Sequence, residues 1–391
     1  MNDKQPNSSI DYTLVFILLL LGIVSVFTLY TLEPVLPAKY DNSNFAFQQI
    51  IWYIVGGIVI VVTMLIDYDR FHQITWFLYG VGILLLLLLF LGIPAQYVVE
   101  ANGAVSWFSI PVLGTIQPAE FMKVFLIITI AHLIVRHHAK FVQREIKHDL
   151  WLFTKIMLVA IPPMGLIAVQ PDLGGLLVLI AITGSMILVS GIRWRILFGL
   201  TLLSVLFVGA LIATYYLFPG PIATFLEESI FKHVSSRFIG WLNPEQNADS
   251  GYQLILAMMA IGSGQLFGKG ITDMEVYVPE RHTDMIFTAI SEQFGFIGAS
   301  VVVTLFFLLI YRLIHIALLS NDQYGSYLVT GIIGMFAYQI FQNIGMSIQL
   351  LPITGLPLPF LSYGGSSTLT YMLAIGIVLN VHSRTRQYMF E

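Results

Sequence analysis

An all-α integral membrane protein with about ten transmembrane helices is the fold that three observations predict. The chain of 391 residues is 57% apolar and only 10% charged, whereas soluble domains carry about 25% charged residues. Apolar runs approaching the ~20 residues that carry a helix across about 30 Å of hydrocarbon recur along its length. Runs such as Ile83–Phe90 and Leu176–Ile180 do not alternate polar with apolar, which sets aside the closed barrel, the other way to span a bilayer without orphaned backbone groups.

The first span, Leu14–Leu32, follows Asp11, and no small-residue cleavage site ends a short apolar region there. It is expected to stay as an anchor. Gln49–Ile66 and Trp76–Leu91 come next, followed by a long interval, Gly92–Glu120, and the fourth span, Phe121–Val135. A basic cluster, Arg136–Lys147, leads into Phe153–Ala168, Gly174–Ser190 and Ile196–Leu217. Residues 219–284 form a large acidic, glycine-punctuated loop between the seventh span and the eighth, Ile286–Leu309. Inside it, Phe225–Val234 and Gln253–Met259 are expected as short interfacial helices, and Gly262, Gly264, Gly268 and Gly270 allow tight turns. Ser326–Gln342 is followed by a third long interval, residues 343–368, and by the last span, Leu369–Val381. No Ser/Pro-rich linker divides the chain, so residues 1–391 read as one polytopic domain.

Orientation follows from Lys and Arg in the short loops. With the N-terminus inside, Lys4, Arg70, Arg136, Lys140, Arg144, Lys147, Arg193, Arg195, Arg312, Arg384 and Arg386 lie inside. Only Lys39, Lys232, Arg237, Lys269 and Arg281 lie outside. Both termini are therefore expected in the cytoplasm, with the three long loops converging on the outer face. The chain has no Cys, which removes disulfides, thiolate nucleophiles and iron–sulfur ligation. A net charge of −4 with no long basic run argues against a nucleic-acid partner.

Four constellations could carry chemistry. Glu120 and Lys123, three apart at the start of the fourth span, share a helical face. They are either an ion pair that orients the helix or the polar lining of a cavity for a lipid headgroup, with Lys123 as the cation. Pro279-Glu280-Arg281-His282-Thr283-Asp284 immediately precedes the eighth span. Asp284 is either that helix's cap or, against apolar surroundings, a carboxylate of raised pKa serving as general base. Glu292, two turns into the helix, needs a partner or water. Asp172 before Gly174-Gly175 reads as a cap or a contributor to the site. The interval Leu351–Ser367 has no charge but three prolines and three glycines, which suits a rigid, partly re-entrant wall as well as an apolar surface loop.

Two motifs mislead. The run from Gly264 to Gly270 is similar to a phosphate-binding loop but has Ser263 where its first glycine belongs and Gly270 where its hydroxyl belongs. His137-His138 lacks the i, i+4 spacing of two ligands on one helical face.

Several of these runs together resemble a known family. Trp241-Leu242-Asn243-Pro244-Glu245-Gln246, Gly251-Tyr252-Gln253, the run from Gly262 to Gly270 and Pro279–Asp284 are similar to the large loop of the SEDS family, the shape, elongation, division and sporulation proteins of bacteria. Trp107, Gln117-Pro118-Ala119-Glu120 with Lys123, Gln170–Gly174, Gln342–Met346, Leu351–Gly355 and Pro359–Ser367 fall in the same order. Ala119 and Gly175 depart from the family's more usual Ser and Thr.

The resemblance implies a multi-pass peptidoglycan glycosyltransferase of the bacterial cytoplasmic membrane, with its active site outward. It would polymerise lipid II beside a class B penicillin-binding protein and the membrane proteins of the elongation complex. On that likeness Asp284 is the catalytic carboxylate, and Trp107, Glu120 and Lys123 line or support the cavity. Arg237, Glu280, Arg281, His282, Glu292, Ser362 and Tyr363 are further candidates for binding or support. No organic cofactor is expected, and a divalent cation, Mg²⁺ or Mn²⁺, is an open assistant at the diphosphate. The short ends of the chain favour the RodA-like elongation branch over the division branch. A transporter of lipid-linked precursors and a non-catalytic scaffold for wall enzymes are the rival readings.

Overall fold

Asp11 opens the first helix, its Oδ1 accepting from Leu14 N at 3.0 Å, and its Oδ2 takes Arg312 Nη2 at 2.7 Å, so the first span is tied at once to a helix three hundred residues away. The structure, a computed structural model, describes residues 10–40, 43–101, 104–110, 114–141, 143, 145–217, 232–246, 250–271 and 273–387. Its helices are α1 (Tyr12–Leu32), α2 (Phe45–Leu65), α3 (Tyr68–Phe90), α4 (Pro118–Lys140), α5 (Ile146–Val169), α6 (Leu173–Val189), α7 (Trp194–Leu217), α8 (Lys232–Leu242), α9 (Ser250–Ser263), α10 (Ile286–Leu319), α11 (Gln323–Ser347) and α12 (Gly365–Gln387).

Seven of these, α1 to α5, α10 and α11, are long and apolar enough to cross a membrane. The other three expected spans fall short of that measure among the described residues. α6 has 17 residues, the apolar stretch described in α7 is Trp194–Leu206, and α12 is polar at both ends, with Ser366-Ser367-Thr368 at one and Ser383-Arg384-Thr385 at the other. Helix α12 can afford polar groups because it runs inside the bundle: Asn380 Nδ2 donates to Thr63 O at 2.7 Å, and Tyr371 lies 2% exposed. The centre of the bundle is α4, whose apolar window is 78% buried against 22% for α2. Small residues let the helices close on it, Gly331 of α11 lying where a Cβ would come 2.7 Å from Ile127 Cγ2.

The all-α expectation misses one element. The interval after α3 folds into an antiparallel sheet of β1 (Val98–Ala101), β2 (Ala104–Ile110) and β3 (Gly114–Ile116), in the order β1-β2-β3. Val99 faces Trp107 and Phe108 faces Ile116, which fixes Trp107 on the central strand. The sequence signal is Asn102-Gly103 between β-branched and aromatic residues, a hairpin pattern that a search for twenty-residue apolar runs passes over.

The expected helix at Phe225–Val234 lies outside the described residues up to 231, and residues 232–234 begin α8. The helix expected at Gln253–Met259 is the middle of α9.

Helix α10 is broken at Gly295, where φ is 62° and ψ is −158°. A broken membrane helix leaves orphan carbonyls on one side and orphan amides on the other. The glycine-rich loop satisfies both: Lys269 N and Gly270 N donate to Glu292 O and Gln293 O at 2.9 and 3.1 Å, while Phe296 N and Ile297 N donate to Gln265 O and Leu266 O at 2.8 and 3.2 Å. Gly268 (φ +81°) sits so close that a Cβ would overlap the Gln293 carbonyl. The run that is similar to a phosphate loop thus serves as the patch on a split helix.

Residues 348–364 fold back into the bundle. Asn343 Nδ2 donates to Leu356 O at 2.7 Å, Gln342 Nε2 to Pro352 O at 2.9 Å, and Ser25 Oγ to Leu361 O at 2.8 Å. Leu356, Leu358, Phe360 and Leu361 are buried.

Candidate active site

The three long intervals meet at one end of the bundle. Gln117 N donates to Ser366 Oγ at 3.1 Å, Arg237 Nη1 to Thr354 O at 3.0 Å, Trp241 Nε1 to Gln349 O at 2.9 Å, and Tyr363 N to His282 O at 3.0 Å. Between them lies a cavity of about 830 Å³, lined among others by Trp107, Glu120, Thr283, Asp284, Gly355 and Tyr363. A larger groove of about 890 Å³ runs between α1, α2 and α12, and among the described residues no charged side chain lines it.

Asp284 occupies the last turn before α10. Its backbone carbonyl accepts from Asn343 Nδ2 at 2.6 Å, and its Oδ1 accepts from Thr283 Oγ1 at 3.4 Å. Gly355, with φ +73°, faces the carboxyl: a Cβ there would lie 3.8 Å from Oδ2. Burial pushes the carboxyl up to about 7, and the Glu280 charge adds to the rise, while hydrogen bonds and Arg237 oppose it. A carboxylate with that affinity is matched to proton transfer near neutrality. Met285, not Asp284, occupies the cap position of α10, and no side chain caps the helix there.

Glu120 lines the cavity, while Lys123 stands behind it, 0% exposed, donating to Glu120 Oε1 at 2.6 Å. Among the described residues Glu120 Oε2 is buried without a hydrogen-bond partner. Asp172 caps α6, accepting from Gly175 N at 2.8 Å through Oδ1, and also accepts from Gln117 Nε2 at 3.0 Å through Oδ2. The cap reading of Asp172 is therefore what the fold shows, and through Gln117 it also touches a residue of the cavity wall.

Arg237 reaches in from α8. Burial holds its guanidinium below the usual arginine range, and the charges of Asp172 and Asp284 work against that. Arg281 points the other way: it is 3% exposed, with Nη2 bonded to Glu292 Oε2 at 2.6 Å and to Thr288 O at 2.9 Å. His282 is buried between Tyr40 and Phe45, whose ring centroids lie 4.9 and 4.4 Å away, and burial lowers its proton affinity. Glu280, at φ 51°, accepts from Tyr40 at 3.3 Å and sits 3.7 Å from Lys39. Ser362 Oγ accepts from Leu358 N at 2.8 Å and shapes the folded-back segment.

Trp107, Glu120, Asp284 and Tyr363 thus share the cavity, Arg237 approaches it, and Lys123, Glu280, Arg281, His282, Glu292 and Ser362 stand in its supports. The sequence reading passed over Gln48 and Trp52, which line the same cavity from α2. Their signal was an amide and an indole four residues apart, hence on one face, at the end of an apolar run. Tyr363 hydrogen-bonds Gln48 across the cavity mouth. Among the described residues no three His, Cys, Asp or Glu side chains gather as a metal cage. A Mg²⁺ or Mn²⁺ carried on a diphosphate needs only one or two carboxylates from protein, and Asp284 and Glu120 are the ones in the cavity wall.

A family profile for cell cycle proteins of the FtsW, RodA and SpoVE type matches residues 10–387. Stage V sporulation protein E of Bacillus subtilis is 35% identical over 97% of this chain and 98% of its own length. A probable peptidoglycan glycosyltransferase FtsW of Trichlorobacter lovleyi is 33% identical over 97% of this chain and 95% of its own. Among solved structures, a chain of a peptidoglycan synthase complex that coordinates polymerization and crosslinking is 26% identical, with a TM-score of 0.76 over 97% of this chain and 99% of that one. The matches carry no bias toward the RodA branch that the sequence reading favoured.

Proposed function

We propose, from the premise that this chain belongs to the FtsW, RodA and SpoVE family of cell cycle proteins and is a peptidoglycan glycosyltransferase of the multi-pass membrane class, that it polymerises lipid II by a single inverting displacement with Asp284 as general base. The observation that carries the reading is a carboxyl pushed up to about 7 at the wall of a cavity that aromatic, amide and hydroxyl groups also line.

In the proposed step, Asp284 accepts the proton of the acceptor sugar's 4-hydroxyl as that oxygen attacks the donor's anomeric carbon. The bond to undecaprenyl diphosphate breaks, and the electron pair leaves on the diphosphate. An α-linked donor then gives a β-1,4 linkage without a covalent enzyme intermediate. Arg237, whose charge is felt by Asp284 and Asp172, is the side chain proposed to meet the leaving diphosphate. Arg281, bonded to Glu292, Thr288 and Val276, is proposed as a support of the turn rather than a partner of the diphosphate. Lys123 is neutralised behind Glu120 and acts through it.

The proposed orientation, with the cavity facing outward, follows the distribution of Lys and Arg between the loops. Similarity to a chain from a synthase complex supports a crosslinking partner, proposed as a class B penicillin-binding protein. The proposed cellular role is elongation: depletion in a rod-shaped host is expected to round the cells, and filamentation would assign the chain to division instead.

The test is glycan formation from lipid II by the purified protein with its partner in detergent, where moving a lipid between leaflets has no meaning. Polymer is the expected product; lipid movement in vesicles without polymer in detergent would favour the transporter. The rate is expected to rise with pH through about 7 and level off above it, because the base works deprotonated.

A further inference from the structure

We propose that Glu292 is a positioning residue for Asp284, acting through Arg281 from inside the split helix; this rests on Asp284 being the base proposed above. Glu292 is 0% exposed and lies one turn before the break at Gly295. Its two oxygens gather donors from three stretches of chain. Oε2 takes Arg281 Nη2 at 2.6 Å, and Oε1 takes Lys269 Nζ at 3.2 Å, Glu275 N at 3.0 Å and Val276 N at 3.3 Å.

Arg281 passes this constraint to the turn that carries Asp284. Its guanidinium also grips Val276 O at 3.0 Å and Thr288 O at 2.9 Å, the latter in the first turn of α10. Glu280 O then accepts from Thr283 N at 3.1 Å and Met285 N at 3.4 Å, closing a tight turn around Asp284. Asn343 holds the far side through Asp284 O. The base is therefore suspended between two anchors, one charged and one neutral.

A buried ion pair is a poor source of stability, since apolar residues of similar volume often do as well or better. What an apolar pair cannot supply is a carboxylate that collects donors from the patch loop, the 273–276 segment and Arg281 at one point. Misplacing a reacting group by about 1 Å can cost about 100-fold in rate, so such a point matters most where a base must meet a hydroxyl. The charges that face Asp284 itself, Glu280 and Arg237, are not touched by changing Glu292.

The test uses the purified full chain with its partner and lipid II as the probe. Glu292→Gln is expected to lower kcat about 10- to 100-fold with KM changed by less than about twofold, and to move the midpoint of the pH profile below that of the wild type as the loosened carboxyl takes up water. Arg281→Lys, which keeps the charge but not the fork, is expected to fall between the two. A folded Glu292→Gln protein with wild-type kcat and pH midpoint overturns the proposal. Where that variant does not fold, the double Arg281→Met, Glu292→Met restores an apolar pair; it is expected to fold and to show the same loss, and wild-type kcat in it overturns the proposal. A second readout needs no activity. The chain has no cysteine, so Asp284→Cys carries a single thiol whose alkylation rate reports the position of that side chain. Adding Glu292→Gln is expected to change that rate several-fold. An unchanged rate overturns the positioning role even where the polymerase reading itself fails.

Discussion

Asp284→Asn is expected to reduce glycan polymerisation by about 10²- to 10⁴-fold, the range that a positioned general base contributes, while leaving the fold and partner binding intact. Asparagine keeps the side chain's volume and can still meet Thr283, but it cannot take a proton. The same variant has a second, independent signature. The carboxyl's folded-state value of about 7 lies above its ordinary value of 3.8. The folded state therefore holds the proton that the unfolded chain has released, and the stability this gives is complete below 3.8 and lost as pH rises through about 7. Asp284→Asn is therefore expected to unfold at a higher temperature than wild type at pH 8 and at the same temperature below pH 3.8. Thermal unfolding in detergent across that range checks it, and a variant less stable than wild type at pH 8 would contradict the burial that raises the carboxyl.

Lys123→Met is expected to destabilise the protein by about 3–5 kcal/mol, the cost of leaving a buried charge without its partner. Both side chains lie inside the most enclosed helix, with Lys123 0% and Glu120 4% exposed, and the 2.6 Å contact is the bond that satisfies the ammonium. The double variant Glu120→Gln, Lys123→Met is expected to recover most of that loss, because it removes both charges together. Polymerisation separates the two roles. Glu120 lines the cavity and keeps one oxygen unpartnered, so the double variant should fold well and still polymerise poorly. A well-folded double variant with wild-type activity would reduce the pair to a structural support.

Much of this architecture is readable from composition, because a bilayer demands long apolar helices and tolerates little else. What hydropathy loses is the interior. Helix α12 carries Asn380, His382 and Arg384 where other helices shield them, so the run that marks it is short. The sheet bearing Trp107 went unread because its signal is local and period-two, buried in an interval judged by what it lacked. In the site, the sequence placed Asp284 beside Glu280, Arg281 and His282, and adjacency suggested a shared surface. The folded chain sends them apart: a turn at Glu280, with φ 51°, directs Arg281 inward to Glu292 and His282 under Tyr40. The need of Glu292 for a partner was legible from its depth in a span. Which residues would answer it was not: Arg281 turns in from the segment before the helix, and Lys269 comes with the loop that patches the break at Gly295.

Asp284 is proposed to stand at a cavity open to the outer side of the membrane, and the absence of cysteine from the chain makes its accessibility directly measurable. Asp284→Cys, expressed beside a wild-type copy, is treated in intact cells with a maleimide that cannot cross the membrane. Labelling in intact cells, at a rate that permeabilisation does not raise, is the predicted result. Labelling only after the cytoplasmic face is opened, or in neither case while the unfolded protein labels fully, would contradict it.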